Sequence, residues 1–138
     1  MLNSPVWTPR VLSVLRIVAA LLFLEHATMK FLQFPAPIPG VSYPLPAIML
    51  AAGVIEVVTG TLMTLGLFTR VAAFVASGEM AFAYFMAHAP QGFWPVLNMG
   101  EPAVLFCFIF LFLAFAGGGA WSLDNILRPT SKPVPART

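Results

Sequence analysis

Four long runs of apolar residues, separated by short breaks rich in proline, glycine or charge, dominate the hydrophobic pattern of the chain. Each run is close to the roughly 20 residues that a helix needs to cross the hydrocarbon core of a membrane. Pro35, Pro90 and the glycines at 117–119 end three of the runs, because proline and glycine stop helices. The pattern predicts an all-α membrane protein, a four-helix transmembrane bundle, with spans at about 11–34, 45–68, 71–89 and 100–116.

The distribution of lysine and arginine predicts the orientation of this bundle. Arg10 precedes the first run, and Arg70 separates the second run from the third. The remaining basic residues of the non-helical segments follow the fourth run, at Arg128, Lys132 and Arg137. The other two connections contain no lysine or arginine. Because basic segments stay on the cytoplasmic side of a membrane, both termini are predicted to be cytoplasmic.

Composition narrows the class of protein further. The chain is 59% hydrophobic and 9% charged, whereas soluble domains have about 25% charged residues. A formal net charge of +2 gives no electrostatic support for a nucleic-acid partner. Cys107 is the only cysteine, which excludes a disulfide or a CxxC redox motif within this chain. We expect one transmembrane domain at 1–127 and a flexible cytoplasmic tail at 128–138.

Ionisable residues occur within the predicted spans and at their ends, although a charge at the bilayer centre costs at least about 2.5 kcal/mol. Such side chains are expected to face the bundle interior and to pair. They could form ion pairs that fix the register of the helices, or they could provide a path for protons or substrate. The residues assigned to a buried polar network are Arg16, Glu25, Glu56, Glu79, Arg70 and Asp124.

The polar residues nearest the predicted outer face form a second set, which we interpret as a ligand-binding site. Histidine and glutamate can exchange protons or hydrogen-bond a carbonyl group, and aromatic rings offer apolar surfaces beside them. Its members are His26, Lys30, His88, Phe93, Trp94, Asn98 and Glu101.

Simpler interpretations of this outer set stay open. The histidines could make ordinary interhelical hydrogen bonds, and Lys30 could extend towards the membrane surface. Glu101 could be a favourable carboxylate in the first turn of a helix. The spacing of the histidines and carboxylates supports no metal or haem site.

Several segments in a fixed order resemble the DoxX family of small bacterial membrane proteins. They are Arg16, 23–30 (FLEHATMK), 53–70 (GVIEVVTGTLMTLGLFTR), 88–101 (HAPQGFWPVLNMGE) and 117–124 (GGGAWSLD). The resemblance spans about 10–124 and implies a multi-pass protein of the bacterial inner membrane. Its motif positions are Arg16, His26, Lys30, Glu56, Arg70, Asn98, Glu101 and Asp124.

The same resemblance suggests a function, because family members are associated with quinol oxidases, thiosulfate:quinone oxidoreductase and thiol-redox complexes. It implies an accessory or quinone-interacting subunit of a membrane redox system, without necessarily any catalytic activity of its own. Quinone, lipids and redox-enzyme subunits are then the expected partners, in a homo- or hetero-oligomer. A small proton-coupled transporter or channel and a purely structural subunit are the alternatives.

Overall fold

A computed structural model describes residues 4–128 of the 138-residue chain. These residues form helices and connections, with no strand among them. The helices are α1 (Trp7–Leu32), α2 (Ala47–Leu65), α3 (Thr69–Ala83), α4 (Pro95–Asn98), α5 (Glu101–Ala116) and α6 (Leu123–Ile126). The chain continues from α3 through one π-helical turn, Tyr84–His88, and a 3-10 turn, Ala89–Gln91. The predicted tail lies outside the described residues, apart from Arg128.

Three of the helices are long and apolar enough to cross a membrane: α1, α2, and α3 with its continuation to Gln91. The 16-residue helix α5 is apolar but shorter. When the continuation of α3 to Gln91 is counted, the bounds fall within a few residues of those predicted, and the largest difference is the start of α1 at Trp7. The helix tolerates Pro9 because the N–H groups of a first turn have no helical acceptor.

The bundle is built from neighbouring helix pairs. Helix α1 packs along α2, α3 packs along α5, and α2 also packs against α3, whereas α1 and α5 meet mainly through aromatic side chains. Phe23 lies at the centre of the core, with its ring centroid 4.9 Å from that of Phe110 and 5.8 Å from that of Phe106. The other buried apolar members of this core are Ala19, Ala20, Met63, Ala72, Ala73, Ala76, Met80 and Leu113.

Two glycines of α2 allow α1 to approach closely. A Cβ atom at Gly53 would lie 2.7 Å from the ring of Phe31, and one at Gly60 would lie 2.8 Å from the side chain of Leu24. Any larger residue at either position would force the neighbouring side chain of α1 to move. The close approach places the side chain of Glu56, on the same face of α2, directly against α1.

The outward faces of the bundle are apolar. Leu21, Phe74, Phe108 and Phe112 are examples of large side chains that are about half exposed or more. In water, a surface this apolar would favour aggregation of the protein. In a membrane, the hydrocarbon chains of the lipids solvate such a surface well. The surface therefore agrees with a chain whose helices lie in a membrane.

Arg16 is completely buried and joins three parts of the chain at one end of the bundle. Its Nε donates to the oxygen of Gly118 at 2.8 Å, and its Nη2 donates to that of Trp121 at 2.6 Å. Its Nη1 donates to the oxygens of Met63 and Thr64, near the end of α2. Among residues 4–128 Arg16 forms no ion pair. The guanidinium group instead donates to backbone carbonyl oxygens near the end of α2 and in the turn after α5.

Asp124 completes the same end of the bundle by capping α3. Its two carboxylate oxygens accept hydrogen bonds from the N–H groups of Phe68 and Thr69, at 2.8 and 2.9 Å. Partial burial of the carboxyl opposes its ionisation, but these N–H donors and the positive charge of Arg128 outweigh that effect and lower the pKa of Asp124. The ionised carboxylate also meets the positive end of the α3 dipole.

We expect Arg16→Lys to lower the free energy of unfolding by about 2–4 kcal/mol, because an ammonium group cannot reach carbonyl oxygens on three sides. Arg10→Lys is the matched control, since Arg10 lies exposed on the same helix with its guanidinium 5.5 Å from the Trp7 ring. The control should change stability by at most about 0.5 kcal/mol. Denaturant unfolding in detergent micelles measures both, and equal effects would contradict the structural importance of Arg16.

Candidate functional site

A cavity of about 850 Å³ lies at the end of the bundle opposite Arg16, between α1, α2, α3 and the start of α5. We call it the main cavity. Most of its wall is apolar, formed by side chains such as Ile55, Val75 and Phe106. Its volume falls in the range of sites that hold drug-sized ligands. The ionisable residues that line it are His26, Lys30, Glu56, Glu79 and His88.

Lys30 and Glu56 form a buried ion pair across the α1–α2 interface. The Nζ atom of Lys30 lies 2.6 and 2.7 Å from the two carboxylate oxygens of Glu56. The two side chains are only 10% and 2% exposed. Two of the three ammonium protons are thus used by Glu56, and the third remains for another acceptor. The pair neutralises both charges and keeps one donor on the cavity wall.

Glu79 lies on α3 and lines the same cavity. Both of its carboxylate oxygens are buried, and neither receives a hydrogen bond from any group in residues 4–128. Buried polar atoms nearly always have a partner, since an unmet one costs about 1–3 kcal/mol. An unpaired carboxyl group beside a large cavity is the arrangement expected of a group that binds something within it.

His26 and His88 line the cavity on opposite helices. The Nδ1 atom of His26 lies 3.1 Å from the oxygen of Leu22, and the edge of its ring meets Phe106. The Nδ1 atom of His88 lies 3.0 Å from the oxygen of Asn98. Each imidazole is therefore oriented through one nitrogen and retains the other.

The π-helical turn at Tyr84–His88 brings the second histidine to the cavity. The N–H of Ala89 bonds to the oxygen of Tyr84, one residue further back than in an α-helix. Pro90, which follows, has no N–H to offer, so the helix cannot regain its regular pattern. The widened turn lines the cavity with Met86 and His88. Such turns are frequent at functional sites.

Asn98 organises the connection between this turn and α5. Its Nδ2 donates to the oxygen of Gly92 at 2.6 Å, and its Oδ1 accepts from the N–H of Gly100 at 2.8 Å. Tyr84 holds the same connection through a hydrogen bond from its hydroxyl to the oxygen of Phe93. Since the amide of Asn98 is occupied in this way, it positions the loop and is absent from the cavity wall.

Comparison with known proteins identifies the family of this chain. The family model described as DoxX matches residues 11–89. The chain belongs to the DoxX family. Two similar proteins come from bacteria. An uncharacterised protein of Haemophilus influenzae is 48% identical over 130 residues, covering 89% of this chain and 95% of the relative. An uncharacterised membrane protein of Mycobacterium tuberculosis is 30% identical over 138 residues, covering 89% and 85%. No solved structure matches.

In this DoxX protein the predicted ligand set is divided by the structure. His26, Lys30 and His88 meet at the main cavity. Phe93 and Trp94 are each 65% exposed and lie outside it, because the loop that Asn98 organises turns them outward. Glu101 is exposed at the first position of α5, where its carboxylate faces the positive end of the helix dipole.

The predicted polar network of the DoxX chain is likewise divided. Arg16 and Asp124 lie at the opposite end of the bundle from Glu56 and Glu79, so one continuous network does not form. The prediction that Glu25 is buried is wrong, because its side chain is exposed on the outer face of α1. Arg70 is also exposed rather than buried.

Arg70 binds a backbone carbonyl group at the bundle surface. Its Nη1 donates to the oxygen of Phe115 at 2.6 Å, near the end of α5. The guanidinium group thus satisfies a terminal helix carbonyl, and its charge meets the negative end of the helix dipole. This contact lies on the bundle surface and holds the end of α5 against the start of α3.

The methionines that line the cavity were not among the predicted site residues. The cavity wall contains Met29, Met49, Met80, Met86 and Met99, out of seven methionines in the chain. Methionine is flexible and polarisable, so it suits a surface that adapts to an apolar ligand. The signal that could have revealed them is their position in the sequence, since they occur at the same end of the helices as Lys30 and His88.

The Lys30–Glu56 pair gives a testable prediction. Lys30→Met or Glu56→Met alone should lower the free energy of unfolding by about 3–5 kcal/mol, because each leaves one buried charge unpaired. The double variant removes both charges, so its loss should be smaller than the sum of the two by at least about 1 kcal/mol. A double-mutant cycle of unfolding in detergent measures this coupling, with exposed Glu25→Gln as control. Strictly additive losses would mean that the pair does not form.

Proposed function

We propose that this DoxX protein crosses the bacterial inner membrane with α1, α2, α3 and α5, and that both termini are cytoplasmic. Helix α5 rises about 24 Å over its 16 residues, slightly less than the hydrocarbon thickness of about 30 Å. Arg10, Arg70 and Arg128 lie at the same end of the bundle, whereas the connection at 33–46 has no basic residue. This asymmetry supports the orientation.

Cysteine labelling tests the orientation. In a Cys107→Ser background, Ser42→Cys lies in the exposed α1–α2 connection and Thr8→Cys lies exposed at the other end of the bundle. A membrane-impermeant maleimide should label Ser42→Cys in intact spheroplasts and should label Thr8→Cys only after the membrane is opened. Labelling of Thr8→Cys in intact spheroplasts would contradict cytoplasmic termini.

We further propose that the protein binds a lipid-soluble quinone in the main cavity as an accessory subunit of a membrane redox system. The observation that carries this proposal is the combination of a large apolar cavity with a few polar groups on its wall. The apolar wall suits the ring and tail of such a molecule. The free proton of Lys30 suits its oxygen, and Glu79 has no hydrogen-bond partner among residues 4–128.

A bound quinone would supply exchange of electrons and protons, and the protein would supply its position. Lys30 would hold an oxygen of the head group, Phe106 would pack beside it, and Met80 and Met86 would adapt to its shape. Cys107 is the only cysteine of the chain, so a dithiol reductant would have to come from another subunit. These points support an accessory subunit in preference to an independent enzyme.

The packing favours this function over transport through one molecule. Between the main cavity and Arg16 the bundle interior is filled by Phe23, Phe110, Met63 and Leu113, which have no exposed surface. A solute that entered the cavity would find no continuous passage along the bundle axis. A reversible binding site that opens towards one half of the membrane needs no such passage.

Gly78 provides a direct test of binding in the main cavity. It lines the cavity, and a Cβ atom added there would meet no atom within 4 Å. Gly78→Phe should therefore fill the space without disturbing the fold and should abolish binding of a short-chain quinone in isothermal titration calorimetry. Gly78→Ala, which adds one methyl group, is the control and should retain binding. Unchanged affinity in Gly78→Phe would place the ligand elsewhere.

A further inference from the structure

A second cavity, of about 690 Å³, lies at the same end of the bundle as Arg16, where the starts of α1 and α3 meet the end of α5. We call it the arginine pocket, because Arg70 and Arg128 line it. The glycine-rich turn at 116–120 forms another part of its wall. The pocket has no role in the proposed function, since the main cavity lies at the opposite end of the bundle.

The arginine pocket carries an excess of positive charge. Neither Arg70 nor Arg128 forms an ion pair among residues 4–128. Asp124 is the one carboxylate on the pocket wall in the described part of the chain. Both of its oxygens already accept hydrogen bonds from N–H groups at the start of α3. Two positive charges therefore share the pocket with one negative charge, and an anion would compensate the difference.

Arg70 keeps part of its guanidinium group available. Its Nη1 donates to the oxygen of Phe115, whereas its Nε and Nη2 make no hydrogen bond with residues 4–128. Both of these atoms lie 3.5 Å from the position that a Cβ atom of Gly117 would take. Because glycine has no Cβ, the space beside them is open. The Nε and Nη2 groups of an arginine form a fork that can bind two oxygens of one phosphate group.

The surroundings of the pocket suit a lipid better than a soluble anion. The pocket lies at the ends of the helices, where lipid headgroups meet a membrane protein. Its wall also contains Leu12, Phe68 and Val71, of which the last two are 66% and 67% exposed. Exposed apolar surface thus adjoins the two arginines. A molecule with an anionic head and apolar chains matches both parts, and basic pockets between transmembrane helices bind such lipids.

We propose that the arginine pocket binds the phosphate group of an anionic phospholipid, through the Nε and Nη2 groups of Arg70 and the charge of Arg128. A zwitterionic headgroup suits the pocket less well, because its ammonium group would approach the same two positive charges. The apolar wall at Leu12 and Val71 would contact the first part of the acyl chains. The lipid site and the proposed quinone site lie at opposite ends of the bundle and can be tested separately.

Native mass spectrometry of the full chain in detergent tests this proposal. The probes are dioctanoyl phosphatidylglycerol, dioctanoyl phosphatidylcholine and glycerol 3-phosphate, so the two lipids differ only in headgroup and the third probe has no acyl chains. The first phosphatidylglycerol molecule should bind about tenfold more tightly than phosphatidylcholine, because two arginines favour its net charge. Glycerol 3-phosphate should bind at least about tenfold more weakly than phosphatidylglycerol, because it lacks the apolar part.

Three variants distinguish the pocket from the general positive charge at this end. Arg128→Gln and Arg70→Lys should each weaken phosphatidylglycerol binding about fivefold. The lysine keeps the charge but cannot form the two-pronged contact. Arg10→Gln is the matched control, because Arg10 is exposed at the same end but lies outside the pocket. It should change the affinity less than about twofold. Since Arg128 is exposed, Arg128→Gln should leave the fold intact, which thermal unfolding without lipid verifies.

Three results would overturn the proposal. Equal affinities for the two lipids would show that the pocket does not select an anionic headgroup. Equal losses in Arg10→Gln and Arg128→Gln would show a diffuse attraction without a site. Glycerol 3-phosphate bound as tightly as phosphatidylglycerol would show a site for a soluble phosphate and would overturn the assignment to a lipid. None of these results bears on quinone binding in the main cavity.

Discussion

The hydrocarbon core of a membrane offers no hydrogen-bond partners, so every charge in this bundle must be satisfied by the protein or by a ligand. Arg16 meets this constraint with backbone carbonyl oxygens from α2 and from the turn after α5. Lys30 and Glu56 meet it with each other. Glu79 does not meet it among residues 4–128, although both of its carboxyl oxygens are buried. That exception is what directs attention to the cavity beside it.

The same constraint divides the molecule into two ends of different character. Around Arg16 and Asp124, polar side chains fix the ends of helices and leave little freedom, as expected of a structural anchor. At the other end the π turn widens α3, and apolar side chains leave a cavity of about 850 Å³. The rigid end holds the helices in register, which allows the other end to remain open without loss of the fold.

The positions of the helices could be predicted because length, hydropathy and proline breaks are local properties of the sequence. The partners of the charges could not be predicted in the same way. Lys30 and Glu56 meet across a helix interface that two glycines of α2 make close, and Arg16 binds carbonyl groups that no side-chain pattern reveals. Trp94 was predicted to line the site because aromatic rings beside histidines suit a ligand. It points outward instead, because the loop that carries it is shaped by tertiary hydrogen bonds that the sequence does not reveal.

The central claim is that a lipid-soluble ligand binds between the helices, beside Lys30 and Glu79. Photolabelling with an azidoquinone, followed by mass spectrometry of the peptides, tests it most directly. The account predicts competable labels on residues that line the cavity, such as Met80 and Met86. Labels confined to the outward face of α3 at Phe74, unaffected by excess quinone, would contradict it.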